Sequence, residues 1–149
     1  MTGVLSGIRV LDFTERIQGP YGTQMLADLG AEVIKVERRE VRTPDGRPDA
    51  RYRNDPDYRR TLYDSTYLAM NRNKKSVTVN LKSEGGREVV RRLVKVCDVV
   101  YENFRPGVMD RLGFGYADCA ALNPSVVYAS ATGYGPDGPY ARKPGQDVL

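Results

Sequence analysis

Apolar residues fall in five short runs, and the polar stretches between them carry a second, helical spacing. Residues 7–13 (GIRVLDF) gather β-branched, aliphatic and aromatic side chains in one run, as a strand buried on both faces does. Residues 31–37 (AEVIKVE) read the same way. Residues 76–80 (SVTVN) alternate like a short strand, and residues 98–102 (DVVYE) and 126–131 (VVYASA) complete the set. The stretch 14–22 (TERIQGPYG) reads as a loop punctuated by Gly19-Pro20. A helix is predicted over 21–30, where Met25, Leu26 and Leu29 share a face and Gly30 supplies the stop. Residues 61–73 predict another, with Leu62, Thr66 and Ala69 or Met70 on one face. Ser83 is placed to cap a third, in which Val89, Val90, Leu93 and Val94 form an apolar stripe. Arg87, Arg91, Arg92 and Lys95 fall mostly outside that stripe. Residues 103–115 predict a loop with a helical turn or two, and 116–124 a short helix ending near Asn123-Pro124.

Strands alternating with helices predict an α/β fold: a doubly wound, Rossmann-like parallel sheet of about five strands. Such sheets bind ligands beyond the C-terminal ends of their strands. That rule selects the loops 14–19, 38 onward, 80–83, 103–107 and 132–145. Cations recur there. Arg38 and Arg39 follow the second strand, Lys82 the third, Arg105 and Arg111 the fourth, and Arg142 and Lys143 the fifth. Guanidinium forks grip phosphates bidentately and ammonium groups act on them as point charges, so the pattern points to a polyanionic ligand.

Composition narrows the chemistry. The 149 residues are one domain by length, with a net charge of +4. Histidine is absent from the chain, which removes the commonest general base and metal ligand. No metal site is expected. Cys97 and Cys119 suit neither a disulfide framework nor a zinc site and read as buried thiols. No apolar run reaches the length of a membrane span, and residues 1–13 lack the pattern of a signal peptide. The expected setting is the cytoplasm.

Two ligand classes fit poorly. Glu37, at the end of the second strand, mimics the acid that holds a dinucleotide's ribose, but the glycine fingerprint G-x-G-x-x-G is missing from 14–22. Residues 38–60 carry eight arginines, with Tyr52 and Tyr58 as stacking groups for nucleic acid. Glu40, Asp45, Asp49, Asp55 and Asp57 are interleaved with them and repel phosphate, so no nucleic-acid partner is expected.

A third class comes from resemblance. The stretches LSGIRVLDFT, LADLGAEVIKVE, NRNKKSVTVNLKSEGG, DVVYENFRPGVMDRLGFGY and LNPSVVYASATGYGPDGPYARKPGQD together resemble the family III CoA-transferases, the formyl-CoA transferase and carnitine CoA-transferase group of CaiB/BaiF type. The resemblance runs from Leu5 to Leu149 and is poorest over 39–61. It implies coenzyme A as substrate rather than as a tightly bound cofactor, with an acyl-CoA and a carboxylic acid as partners. It implies transfer through an aspartyl-CoA intermediate. Position by position, it implies contacts to CoA from Ile17, Gln18, Arg38, Val79, Asn80, Leu81, Lys82, Asn103, Phe104, Arg105, Arg111 and Lys143, with Gln18 and Gln146 as auxiliary groups. The related α-methylacyl-CoA racemases use a histidine in a G-H-D stretch. Here Gly145-Gln146-Asp147 puts a neutral amide there, which cannot shuttle a proton. Transferase is therefore expected over racemase, and a non-catalytic CoA-binding module is the other alternative.

The nucleophilic aspartate of the family is expected beyond Leu149. Asp12, Asp28 and Asp147 are not assigned that role. The resemblance implies that residues 1–149 are the N-terminal part of the large CoA-binding domain of an interlocked homodimer, with a long polar loop at about 39–61 and a second domain outside the chain.

Overall fold

A computed structural model describes residues 3–38 and 65–145. Its strands are β1 (Arg9–Asp12), β2 (Glu32–Glu37), β3 (Lys74–Thr78), β4 (Val99–Glu102) and β5 (Val127–Ser130). Its helices are α1 (Gln18–Asp28), α2 (Ser65–Asn71), α3 (Glu84–Val94), α4 (Val108–Leu112) and α5 (Tyr116–Leu122). The five strands form one sheet in the order β3-β2-β1-β4-β5. Every neighbouring pair is parallel. The α/β, doubly wound parallel fold expected from the alternation is the one observed.

Strand alternation divides the core in two. Leu11, Phe13 and Val100 turn to one face and meet Val90 and Val94 of α3, Met109 of α4, Phe114, and Cys119 of α5. Val10 and Val33 turn to the other and pack with Ala27 of α1 and with Ala31. Each fully buried aliphatic side chain contributes about 1.5–3 kcal/mol. Both cysteines are unbridged and buried, as expected. Burial pushes each thiol up to about 11, so neither is a thiolate at neutral pH.

Most element ends fall within two residues of the expected ones, and α1 and β3 are displaced for identifiable reasons. The first helix begins at Gln18, not at 21, because Pro20 lies in its first turn, where a backbone N–H has no partner to lose. Gln18 is thus the first residue of a helix rather than part of a loop. Gly19 allows the close approach: a Cβ there would lie 2.4 Å from the Thr14 side chain. The third strand spans Lys74–Thr78 rather than 76–80. Its first residue is a lysine whose ammonium is buried under the sheet's end, which a polar-equals-exposed reading misplaces. Pairing then ends early, because Asn80 turns the chain: its Oδ1 accepts from Lys82 N at 3.0 Å and its carbonyl from Ser83 N at 3.0 Å. The second helix is described from Ser65, and the part expected over 61–64 lies outside the described residues. The cap of α3 is as expected, with Ser83 Oγ accepting from Gly86 N at 3.2 Å.

Candidate functional site

The sheet order makes β1 and β4 the neighbours from which the chain winds outward in opposite directions. A crevice at that switch point is the default ligand position of a doubly wound sheet. Here side chains span it. Asn103, just after β4, accepts from Glu15 N at 2.8 Å and donates to Glu15 O at 2.8 Å. Arg38, just after β2, reaches the Glu15 carboxylate at 2.7 Å. Three strand ends therefore converge on one residue of the β1–α1 loop.

Beneath that loop lies a buried charge cluster. Asp12 is fully buried, and its Oδ1 accepts from Thr14 N at 2.8 Å and from Thr14 Oγ1 at 2.5 Å. Its Oδ2 accepts from Thr23 Oγ1 at 2.7 Å and from Lys74 Nζ at 3.0 Å. Lys35 Nζ lies 3.9 Å from Asp12 Oδ2 and donates to Thr14 O at 2.8 Å. Lys74 also donates to Pro20 O at 2.9 Å, which ties the start of α1 to the edge of the sheet. Desolvation pulls its ammonium below the usual lysine range, opposed by the charge of Asp12.

A second group lies beyond β4 and β5. Arg105, Arg111 and Arg142, with Pro106, Val108, Pro136 and Ala141, line a groove of about 490 Å³. Glycine at the left-handed Gly107 (φ 77°) starts α4 and lets the chain fold back toward that groove. Among the described residues, none of the three guanidinium groups has an ion-pair or hydrogen-bonding partner. Lys143 instead stacks its ammonium 4.0 Å from the Tyr140 ring centroid.

A family model described as CoA-transferase family III matches residues 5–149. The chain belongs to CoA-transferase family III. It is 43% identical over 147 residues to acetyl-CoA:oxalate CoA-transferase of Acetobacter aceti, covering 99% of this chain and 36% of that protein. To succinyl-CoA:glutarate CoA-transferase of Mus musculus it is 44% identical, covering 97% of this chain and 32% of that one. The crystal structure of Rv3272 from Mycobacterium tuberculosis superposes with a TM-score of 0.80 at 43% identity, covering 99% of this chain and 38% of that one. The chain thus spans about a third of the length of the curated relatives it matches.

The family III chain distributes the twelve residues expected at CoA unevenly. Arg105 and Arg111 come together on the groove. Arg38 and Asn103 meet at Glu15, where Asn103 spends its side chain on the loop backbone. Ile17 caps α1 and is 39% exposed, and Gln18 follows it on the surface. Val79, Leu81 and Phe104 pack their side chains against the larger core cluster, so they offer a ligand chiefly backbone. The Phe104 N–H is already given to Glu102 Oε2 at 2.7 Å. Asn80 shapes the turn before α3, and Lys82 is exposed on it. Lys143 is held by Tyr140 and does not line the groove. Gln146 lies outside the described residues.

The dinucleotide alternative loses its acid. Both carboxylate oxygens of Glu37 are occupied, one by Tyr67 OH and the other by Ser76 Oγ. Sequence reasoning also missed participants. Arg142 was a strand-end cation there but not one of the carried-over contacts. Glu15, Lys35 and Lys74 went unassigned, although a lysine at the centre of an apolar strand, as in AEVIKVE, was a usable signal.

Proposed function

We propose that this chain is the CoA-binding part of an enzyme that moves coenzyme A from an acyl-CoA to a free carboxylic acid. The observation that carries it is the groove lined by three arginines, without partners among the described residues, at the C-terminal side of the sheet. Guanidinium groups with no acid partner among the described residues suit the phosphates of CoA. Arg105 and Arg111 take phosphate oxygens, Arg142 closes the groove from the β5 side, and the backbone at 79–82 borders the base.

In the transfer itself, a carboxylate oxygen attacks the thioester carbonyl and the C–S bond breaks, giving a mixed anhydride and CoA thiolate. The thiolate attacks the enzyme's side of the anhydride and releases the donor acid, leaving an enzyme-bound CoA thioester. The acceptor acid repeats the steps in reverse, and the enzyme carboxylate is regenerated. Neither Asp12 nor Asp28 suits the nucleophile's role. The first is enclosed by lysine and threonine donors. The second is bound by Arg72 at 2.6 Å and Asn73 at 2.7 Å, and the Arg72 hydrogen bond heads the causes that hold its carboxyl below the usual range.

Calorimetric titration of CoA into the 149-residue chain tests the reading. Saturable binding that weakens as salt is raised is expected, since ionic contacts at an open groove are screened. Absence of saturable binding, with the chain folded, overturns it.

A further inference from the structure

We propose that Lys35 is a positioning residue for the ligand-binding end of the sheet, its ammonium holding the β1–α1 loop in the conformation that presents Glu15, Arg16 and Ile17. This rests on the CoA reading above for the identity of the ligand, but not for the behaviour of the loop.

Lys35 sits inside β2 and is 6% exposed. A lysine on a strand interior ordinarily extends its ammonium to water, and burying it is costly unless something is gained. Neutralising Asp12 does not account for the cost. Lys74 already supplies one positive charge to that carboxylate, and both oxygens accept hydrogen bonds without Lys35. At 3.9 Å, Lys35 is beyond hydrogen-bonding reach of Asp12. Its one hydrogen bond goes to the carbonyl of Thr14, at 2.8 Å. A second buried cation beside one carboxylate is a liability to stability. What it holds is the loop.

The loop is held at every backbone polar group of two successive residues. Thr14 N–H goes to Asp12 at the end of β1, Thr14 C=O to Lys35 of β2, and Glu15 N–H and C=O to Asn103 after β4. The next residue, Arg16, has φ of 69°, a left-handed conformation that a side chain with a Cβ resists. Such conformations persist where the surroundings over-determine them, and they gather at binding sites. Without the Lys35 contact, the segment loses its tie from inside β2, two residues before the strained one.

The test compares Lys35→Met with Lys75→Met. Lys75 is in the adjacent strand, is exposed and pairs with Glu32, so its loss removes the same charge from the same sheet. Lys35→Met is expected to keep or raise Tm, because Asp12 retains Lys74. Hydrogen exchange at the Glu15 and Arg16 amides, read by NMR, is expected to quicken about tenfold, with the core amides unchanged. The Kd for CoA is expected to rise about tenfold. Lys75→Met should move none of these readouts.

Unchanged exchange at Glu15 in Lys35→Met overturns the proposal. So does a fall in Tm with exchange rising across the whole core, or a failure to fold, since either places Lys35 in the service of core stability. Equal losses of CoA affinity in both variants overturn it too, by assigning the effect to net charge. If the wild-type chain binds no CoA, the CoA reading fails, and the exchange comparison alone decides for or against Lys35.

Discussion

Arginines on the outer face of α3 and arginines at the strand ends are the same side chain put to different use. On α3, Arg87 meets Glu84 at 2.8 Å, Arg91 meets Glu84 at 2.6 Å and Glu88 at 3.5 Å, and Arg92 meets Glu88 at 3.0 Å. The helical repeat brings acids three, four or seven positions earlier onto the same face, and each guanidinium is paired within its own segment, three arginines sharing two acids. Arg105 and Arg142 come from two loops and Arg111 from α4, and none of them has an acid partner among the described residues. Charge count makes the two sets equal. Their neighbours make one a paired, solvated face and leave the other without a countercharge among the described residues.

The largest test of that contrast removes the acid from a pair that is buried. Asp12→Asn leaves Lys74 and Lys35 under the sheet end without a countercharge, and a broken buried pair costs about 3–5 kcal/mol. Denaturant unfolding should show a loss of that order. A loss well under 1 kcal/mol would make the cluster dispensable and the pairing argument empty.

Next in size is a matched pair of charge deletions. Arg111→Gln should weaken CoA binding by about 10- to 100-fold, as expected for a lost charge-assisted hydrogen bond. Arg91→Gln, of equal charge change, should leave the affinity as it was. Calorimetry on the two variants checks this, and equal effects would mean that overall charge, not placement, attracts the ligand.

The smallest effect is a titration. Hydrogen bonds from Arg91 and then Arg87 hold Glu84 below its ordinary value of 4.5, and the hydrogen bond from Arg92 does the same for Glu88. A depressed carboxylate contributes stability that is fully present above its unfolded value and is lost as the pH falls through the folded one. Acid titration should therefore erode the α3 contribution only below about pH 4.5. Tm measured from pH 7 to 3 in wild type and in a Glu84→Gln variant, whose curve should be flatter at the acid end, checks the sign.

Much of this was legible in the chain itself. The five apolar runs, the cap at Ser83, the packing of Val90, Leu93 and Val94, and the buried thiols follow from side-chain period and chemistry, which act locally; Val89, expected in the same stripe, is exposed instead. Arg105 and Arg111 were legible as strand-end cations. The start of α1 was misplaced because Pro20 breaks helices in their interior but not in their first turn. The start of β3 was misplaced because Lys74 is polar by type and buried by circumstance. Glu15 was invisible as a meeting point, since Asn103 and Arg38 are distant from it in sequence and only parallel pairing brings them together.

By itself, the order of apolar and polar residues determined the α/β class, the alternation of elements and the edge of the sheet on which cations would gather. These depend on spacing along a single segment. Which arginines are paired, which lysines lie buried under a loop, and which strand ends share one residue were decided by the tertiary structure. Those are properties of pairs far apart in the chain, and their energies exist only once the sheet order β3-β2-β1-β4-β5 has placed the strand ends side by side.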